Sequence, residues 1–232
     1  MRRNVFFGAL LMSMTLLAAS GGHALAMDEV LVGDLEMPEE SVEISLEDLP
    51  DIDISSWEYI LVNSEHSIDD YEPETVEIEG QLIDYRIEDA MTEFVAAARE
   101  AGVPVYLSSG YRDYATQQYL NELKQTQGYT KEEADAIVAP PGTSEHQTGL
   151  AMDITDEYRE IKNSELESTD TYIWMSQHCQ EYGFIVRYPN DKSDITGIIY
   201  EPWHFRYVGV EAATYIMEHG LCLEEFLALY TS

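Results

Sequence analysis

Between Ile87 and Ala98 the apolar residues Ile87, Met91, Phe94, Val95 and Ala98 recur at helical spacing, and Gly102 supplies a stop. The pattern then changes. "VPVYLSS" (103–109) reads as a strand that runs into Gly110-Tyr111-Arg112. A second helix is expected from Tyr114 to Thr126. A third is announced by Thr130 and Glu133, the spacing of a capping box, and Pro140 and Pro141 end it. Residues 156–170 are polar and read as a loop. A helix over 171–182 follows, closed by Gly183. "FIVRYP" and "GIIYEPWHFRYVG" read as two strands around the turn-rich 190–194, and two short helices, 211–218 and 223–229, complete the pattern. Upstream, Tyr59 to Val62 form a short strand-like run that opens the domain. With no internal repeat, helices interleaved with a few strands on short connections predict an α+β fold with a mainly antiparallel sheet flanked by helices.

The N-terminal part is different. Arg2 and Arg3 precede an uncharged run from Val5 to Ser20, and Ala24-Leu25-Ala26 follows. This is the order of a secretory signal, with cleavage expected after Ala26. The run falls short of the ~20 apolar residues that span a bilayer, so no stable membrane insertion is expected after cleavage. Residues 27–56 are acidic, contain Pro38 and Pro50, and read as a linker. The expected organisation is a signal peptide at 1–26, an acidic linker at 27–56 and one domain at 57–232, secreted or held in the cell envelope and monomeric.

Composition narrows the partners. The formal net charge is −33, and no Lys or Arg lies between Arg3 and Arg86. Such a field repels nucleic acid and anionic lipid and favours solubility. Cys179 and Cys222 allow one disulfide, or Cys179, in a helical pattern, is a buried free thiol, and their spacing is not that of a metal knuckle.

Two of the six histidines lie in polar, turn-rich segments, "PPGTSEHQTGLAMDI" and "YEPWHFRYVG". His146, Asp153 and His204 together supply two imidazoles and a carboxylate, the donor set of a catalytic zinc site with a fourth place left open. Non-haem iron uses the same set, and spacing alone does not separate the two. Glu201, three residues before His204, is the candidate general base, and Arg112 the candidate oxyanion stabiliser. His66, His178 and His219 read as ordinary surface residues.

The segments "SSGYRDYATQQ", "APPGTSEHQTGLAMDI", "EYGFIVRYP" and "ITGIIYEPWHFRYVG" closely resemble the zinc D-alanyl-D-alanine carboxypeptidases of the VanY type, over roughly Trp57 to Tyr230. The resemblance implies one zinc ion held by His146, Asp153 and His204, with Glu201 as catalytic base and Arg112 on the scissile carbonyl. It places Gln118 and Ser144 at the substrate site and implies a small α+β fold shared with the Hedgehog signalling domain. The implied reaction is removal of the C-terminal D-alanine of peptidoglycan stem peptides. The alternatives are an L,D-carboxypeptidase that trims tetrapeptide stems, a D,D-dipeptidase, and a zinc-containing binding module without catalysis. Arg187 is a candidate partner for the substrate carboxylate, against a reading as a surface arginine. Tyr111, Tyr188, Trp203 and Phe205 are candidate cleft walls, against core packing for the last two.

Overall fold

Phe94 is the point where helices and sheet meet. The computed structural model describes residues 48–231; the expected signal peptide and the linker up to residue 47 lie outside the described residues. Helix α1 (Glu88–Glu100) buries Met91, Phe94, Val95 and Ala98, the stripe its periodicity predicts. Phe94 stacks on Phe184 with centroids 5.4 Å apart and meets the edge of Phe205 at 5.8 Å. Helix α2 (Tyr114–Thr126) has the expected span, and α3 (Lys131–Ile137) begins with the expected capping box of Thr130 and Glu133.

Ahead of α1, strands β1 (Thr75–Ile78) and β2 (Gln81–Asp84) form a hairpin that the sequence reading missed. Its turn is Glu79-Gly80, both at positive φ, the two-residue connection whose twist suits a hairpin. The alternation in "TVEIEGQLID" carried the signal. The main sheet has the order β3-β4-β6-β5, antiparallel throughout, with β3 (Tyr106–Ser109), β4 (Ala151–Thr155), β5 (Phe184–Val186) and β6 (His204–Tyr207). Side chains alternate across it. Leu107, Met152, Ile154, Phe184, Val186 and Phe205 enter the core with α1 and α4 (Asp170–His178), while Asp153, His204 and Arg206 face the other way. Helix α5 (Ser193–Thr196) lies between β5 and β6, and α6 (Val210–His219) and α7 (Leu223–Thr231) end the chain. The mixed helical and antiparallel architecture is the expected one.

Several local expectations need correction. Tyr59 to Val62 is not a strand: Trp57–Tyr59 is a 3-10 turn, and the Arg206 guanidinium donates to the carbonyls of Glu58 (2.8 Å) and Ile60 (2.9 Å), satisfying groups a ladder would have used. Of "GIIYEPWHFRYVG" only His204–Tyr207 is strand. Before it, Pro202 has no N–H to donate, and the Glu201 and His204 amides bond to Tyr188 and Glu201 carbonyls in a turn. The turn-rich 190–194 leads directly into α5, which Gly197 closes in the left-handed conformation. The compact unit begins at Leu49, and the Tyr230 hydroxyl donates to the Pro50 carbonyl at 2.7 Å. Cys179 and Cys222 are buried free thiols, each pushed up to about 12 by burial.

Candidate active site

The central strand pair assembles most of the site. Antiparallel register sets Asp153 of β4 directly opposite His204 of β6, with Ser109 of β3 on the other side of Asp153. His146 arrives from a 3-10 turn, Glu145–Thr148, that feeds β4 through Gly149. Gly149 has φ +71°, and its carbonyl accepts from the Asp84 amide at 3.0 Å; a Cβ there would lie 2.7 Å from that nitrogen. Only glycine meets both demands. Gly110 is constrained from the other side: a Cβ would lie 2.2 Å from the Leu82 carbonyl of the hairpin. The Gly110 carbonyl accepts from His146 Nδ1–H at 2.8 Å, which turns Nε2 toward the centre of the site.

One atom from each of His146, Asp153 and His204 lies within 4.8 Å of the others. Asp153 Oδ1 is 3.4 Å from His146 Nε2 and 3.2 Å from His204 Nδ1. Asp153 Oδ1 and His204 Nδ1 are buried without a hydrogen-bond partner among the described residues. Asp153 Oδ2, in contrast, accepts from Lys162 Nζ at 2.5 Å and faces Arg112 Nη2 at 3.5 Å. The carboxylate is thus saturated on one oxygen and bare on the other. Two orphaned buried atoms, Asp153 Oδ1 and His204 Nδ1, converge with His146 Nε2 on one point, and this set of two imidazoles and one carboxylate fits a divalent metal ion.

Charge states follow from the same arrangement. Burial, aided by Arg112, pushes His146 down to about 4, so it is neutral at pH 7. For His204 burial pushes the same way, but Asp153 and Glu145 overcome it and hold the metal-free imidazole at about 9. Burial works against the Asp153 carboxylate, yet Lys162 and His146 hold it well below its ordinary range. Glu201 Oε2 is 3.5 Å from His204 Nδ1, and burial raises its carboxyl to about 7.

Arg112 is anchored at three points: Nε donates to Ser109 Oγ (2.9 Å), Nη1 to Gln117 Oε1 (2.9 Å), and its backbone amide to the His146 carbonyl (3.1 Å). Ser144 is buried just before the 3-10 turn, with its side chain free of any capping bond. Gln118 is exposed on α2 and donates to Glu122 Oε1; its neighbour Gln117 is the glutamine that reaches Arg112. Tyr188 packs on the His204 ring at 4.8 Å, whereas Phe205 belongs to the core and Tyr111 is half-buried. Arg187 matches neither expectation held for it. It is fully buried, with Nε on Glu145 and both Nη atoms on Glu224, and so is not free to meet a substrate carboxylate.

Three residues at the site were missed. Gln117 lay next to the glutamine chosen, Lys162 sat in a stretch read only as loop, and Glu145 immediately precedes His146. Glu145 has partners remote in sequence, 42 and 61 positions away, whereas Gln117 and Lys162 lie 5 and 9 positions from Arg112 and Asp153 but match no spacing motif.

Comparison with known proteins places the chain in a family and finds the same fold in solved structures. Residues 80–210 match the family model VanY, described as D-alanyl-D-alanine carboxypeptidase. A D-alanyl-D-alanine carboxypeptidase of Enterococcus faecalis is 42% identical over 205 residues, covering 84% of this chain and 74% of that protein. A solved structure of a variant of the vancomycin-resistance D,D-pentapeptidase VanY from a VanB-type cassette, in complex with Zn(II), is similar with a TM-score of 0.66 and 43% identity. It covers 74% of this chain and 99% of that one. The LD-carboxypeptidase LdcB is similar with a TM-score of 0.67 at 36% identity, covering 74% of this chain and 87% of the other.

Proposed function

The chain belongs to the VanY family of D-alanyl-D-alanine carboxypeptidases, and on that premise we propose that it is an exported enzyme that uses one zinc ion to release the C-terminal D-alanine of peptidoglycan stem peptides. The observation that carries the reading is the convergence of His146 Nε2, Asp153 Oδ1 and His204 Nδ1 beside Glu201. Zinc is preferred over iron because a close structural relative contains Zn(II). When bound, zinc supplies a Lewis acid that activates water and polarises the scissile carbonyl.

The chain's own residues do the rest. Glu201 accepts a proton from the attacking water as its oxygen bonds to the carbonyl carbon. It then returns the proton to the nitrogen of the leaving D-alanine as the C–N bond breaks. In the metal-free protein burial raises this carboxyl above its ordinary range, the direction that suits a group which must both take and return a proton. Arg112, fixed by Ser109 and Gln117, faces the developing oxyanion without having to reorganise. Ser144 is the buried hydroxyl available to the substrate, and Gln118 remains a proposed contact at the outer edge. A substrate that ends in a carboxylate needs local positive charge in so acidic a chain, and Arg112 and Lys162 supply it. Action outside the cytoplasm follows from the cell-wall substrate and from the signal-like sequence at 1–26; a mature N-terminus at Met27 is the expected result of N-terminal sequencing.

His204→Ala should lose zinc and activity together. Glu201→Gln should keep zinc while turnover falls by at least about 10²–10⁴-fold, the contribution of general acid–base catalysis. Loss of zinc in Glu201→Gln would make Glu201 a ligand, and wild-type protein that binds zinc without releasing any amino acid would make the domain a binding module. The similarity to LdcB supports a second reading, an L,D-carboxypeptidase. Pentapeptide and tetrapeptide stems assayed side by side separate the two.

A further inference from the structure

Glu145 is fully buried and belongs to no role assigned so far. Its Oε1 accepts from Arg187 Nε (2.7 Å) and Arg206 Nη1 (2.6 Å). Both arginines are themselves fully buried and otherwise satisfied, Arg187 by Glu224 of α7 and Arg206 by the Glu58, Ile60 and Tyr207 carbonyls. Its other oxygen, Oε2, has no hydrogen-bond partner among the described residues and lies 3.5 Å from His204 Nε2, which has none among them either. The opposite nitrogen of the same ring, Nδ1, faces Asp153 Oδ1.

An imidazole that donates its lone pair at Nδ1 must carry its proton at Nε2, and that proton needs an acceptor. For His146, which presents Nε2 instead, the proton is on Nδ1 and its acceptor is the Gly110 carbonyl. Resting on the zinc reading, we propose that Glu145 is the corresponding positioning residue for His204. In this arrangement Arg187 and Arg206 clamp Oε1 so that Oε2 alone receives the Nε2 proton, which selects the tautomer and ring orientation that present Nδ1 to the metal. The two guanidiniums are what make the carboxylate directional. A carboxylate held on one oxygen by two cations has only one oxygen to turn toward the imidazole. The relay runs from α7 through Glu224, Arg187 and Glu145 to His204, so the C-terminal helix takes part in shaping the metal site.

The Glu145→Gln variant provides a sharp test. Arg187 and Arg206 can only donate, so they claim the amide oxygen and turn the NH2 group toward His204 Nε2. That nitrogen must then be the acceptor, the ring proton moves to Nδ1, and the metal-facing atom is blocked. Zinc affinity of the purified full-length protein, measured by competition with a chromophoric chelator, should fall about 10–100-fold. In a His204→Ala background the same change should cause no further loss, because Glu145 acts through that ring. An equal loss in both backgrounds would show a general structural role and overturn the proposal, as would unchanged affinity in Glu145→Gln. Should the variant fail to fold, nitrogen-15 NMR of zinc-loaded wild-type protein decides. A proton on His204 Nε2 is expected, and a proton on Nδ1 overturns the assignment. Wild-type protein that binds no zinc at all would instead overturn the zinc reading, so the two failures are distinguishable.

Discussion

At the scale of single residues, the two candidate ligand histidines start from opposite charge states. His146 is neutral at pH 7 because burial and Arg112 hold it down at about 4, and it has no proton to give up to a metal. His204 is held up at about 9 by Asp153 and Glu145, so it is protonated in the metal-free protein throughout the neutral range. A cation that takes Nδ1 must displace that proton. Zinc binding near pH 8 should therefore release about one proton from His204, and affinity should rise about tenfold per pH unit until pH reaches about 9 and then level off. Calorimetry in buffers of different ionisation enthalpy measures the proton count. A count of zero would mean that His204 is neutral before the metal arrives.

At the scale of elements, the sheet separates stability from chemistry by alternation. Phe94 fills the core face against Phe184 and Phe205, while Asp153 and His204 occupy the opposite face of neighbouring residues. Phe94→Ala should cost ~3–5 kcal/mol in denaturant unfolding but leave zinc affinity near wild type in the folded fraction. Gly149→Ala should do the reverse. It adds a Cβ 2.7 Å from the Asp84 amide at a φ of +71°, which costs about 1–2 kcal/mol in backbone conformation before any clash. It also displaces the turn that carries His146, so zinc affinity should fall more than stability. Equal effects of the two variants on zinc would mean that core and site are not independent.

At the scale of the whole molecule, the acidity predicted from composition meets a site whose local cations are few. With a net charge of −33, the long-range field repels a substrate that carries carboxylates, while Arg112 and Lys162 attract it only at short range. Raising salt from about 10 to 150 mM shortens the screening length from about 30 to 8 Å, which removes the repulsion first. The value of kcat/KM for an anionic stem peptide should therefore rise with salt over this range. A fall would show that the cations at the site dominate capture.

The helices were legible in the sequence because their determinants are local. Apolar spacing for α1 and the Thr130–Glu133 box for α3 involve residues a few positions apart, whereas the helix expected over 171–182 ends as α4 at His178 and passes into a 3-10 turn, Cys179–Tyr182, that Gly183 closes. The candidate site was legible as residue types in two short motifs, His146 with Asp153 and Glu201 with His204, together with Arg112, which the fold brings together. The strand at Tyr59–Val62 and the free role for Arg187 were misread for one reason. Each is decided by a buried guanidinium whose partners are distant: Arg187 reaches Glu145 across 42 positions, and Arg206 reaches the Glu58 and Ile60 carbonyls across 148 and 146. A pattern within a window cannot report a hydrogen bond made across the fold. By itself, then, the sequence determined most of the helical spans, the acidic character and the candidate donor set. Only the tertiary structure decided which nitrogen of each histidine faces inward, which oxygen of Asp153 stays bare, and that Glu145, Gln117 and Lys162 belong to the site. Those choices depend on strand register and on burial, which make an unpaired polar atom costly and so leave one arrangement in which each is matched.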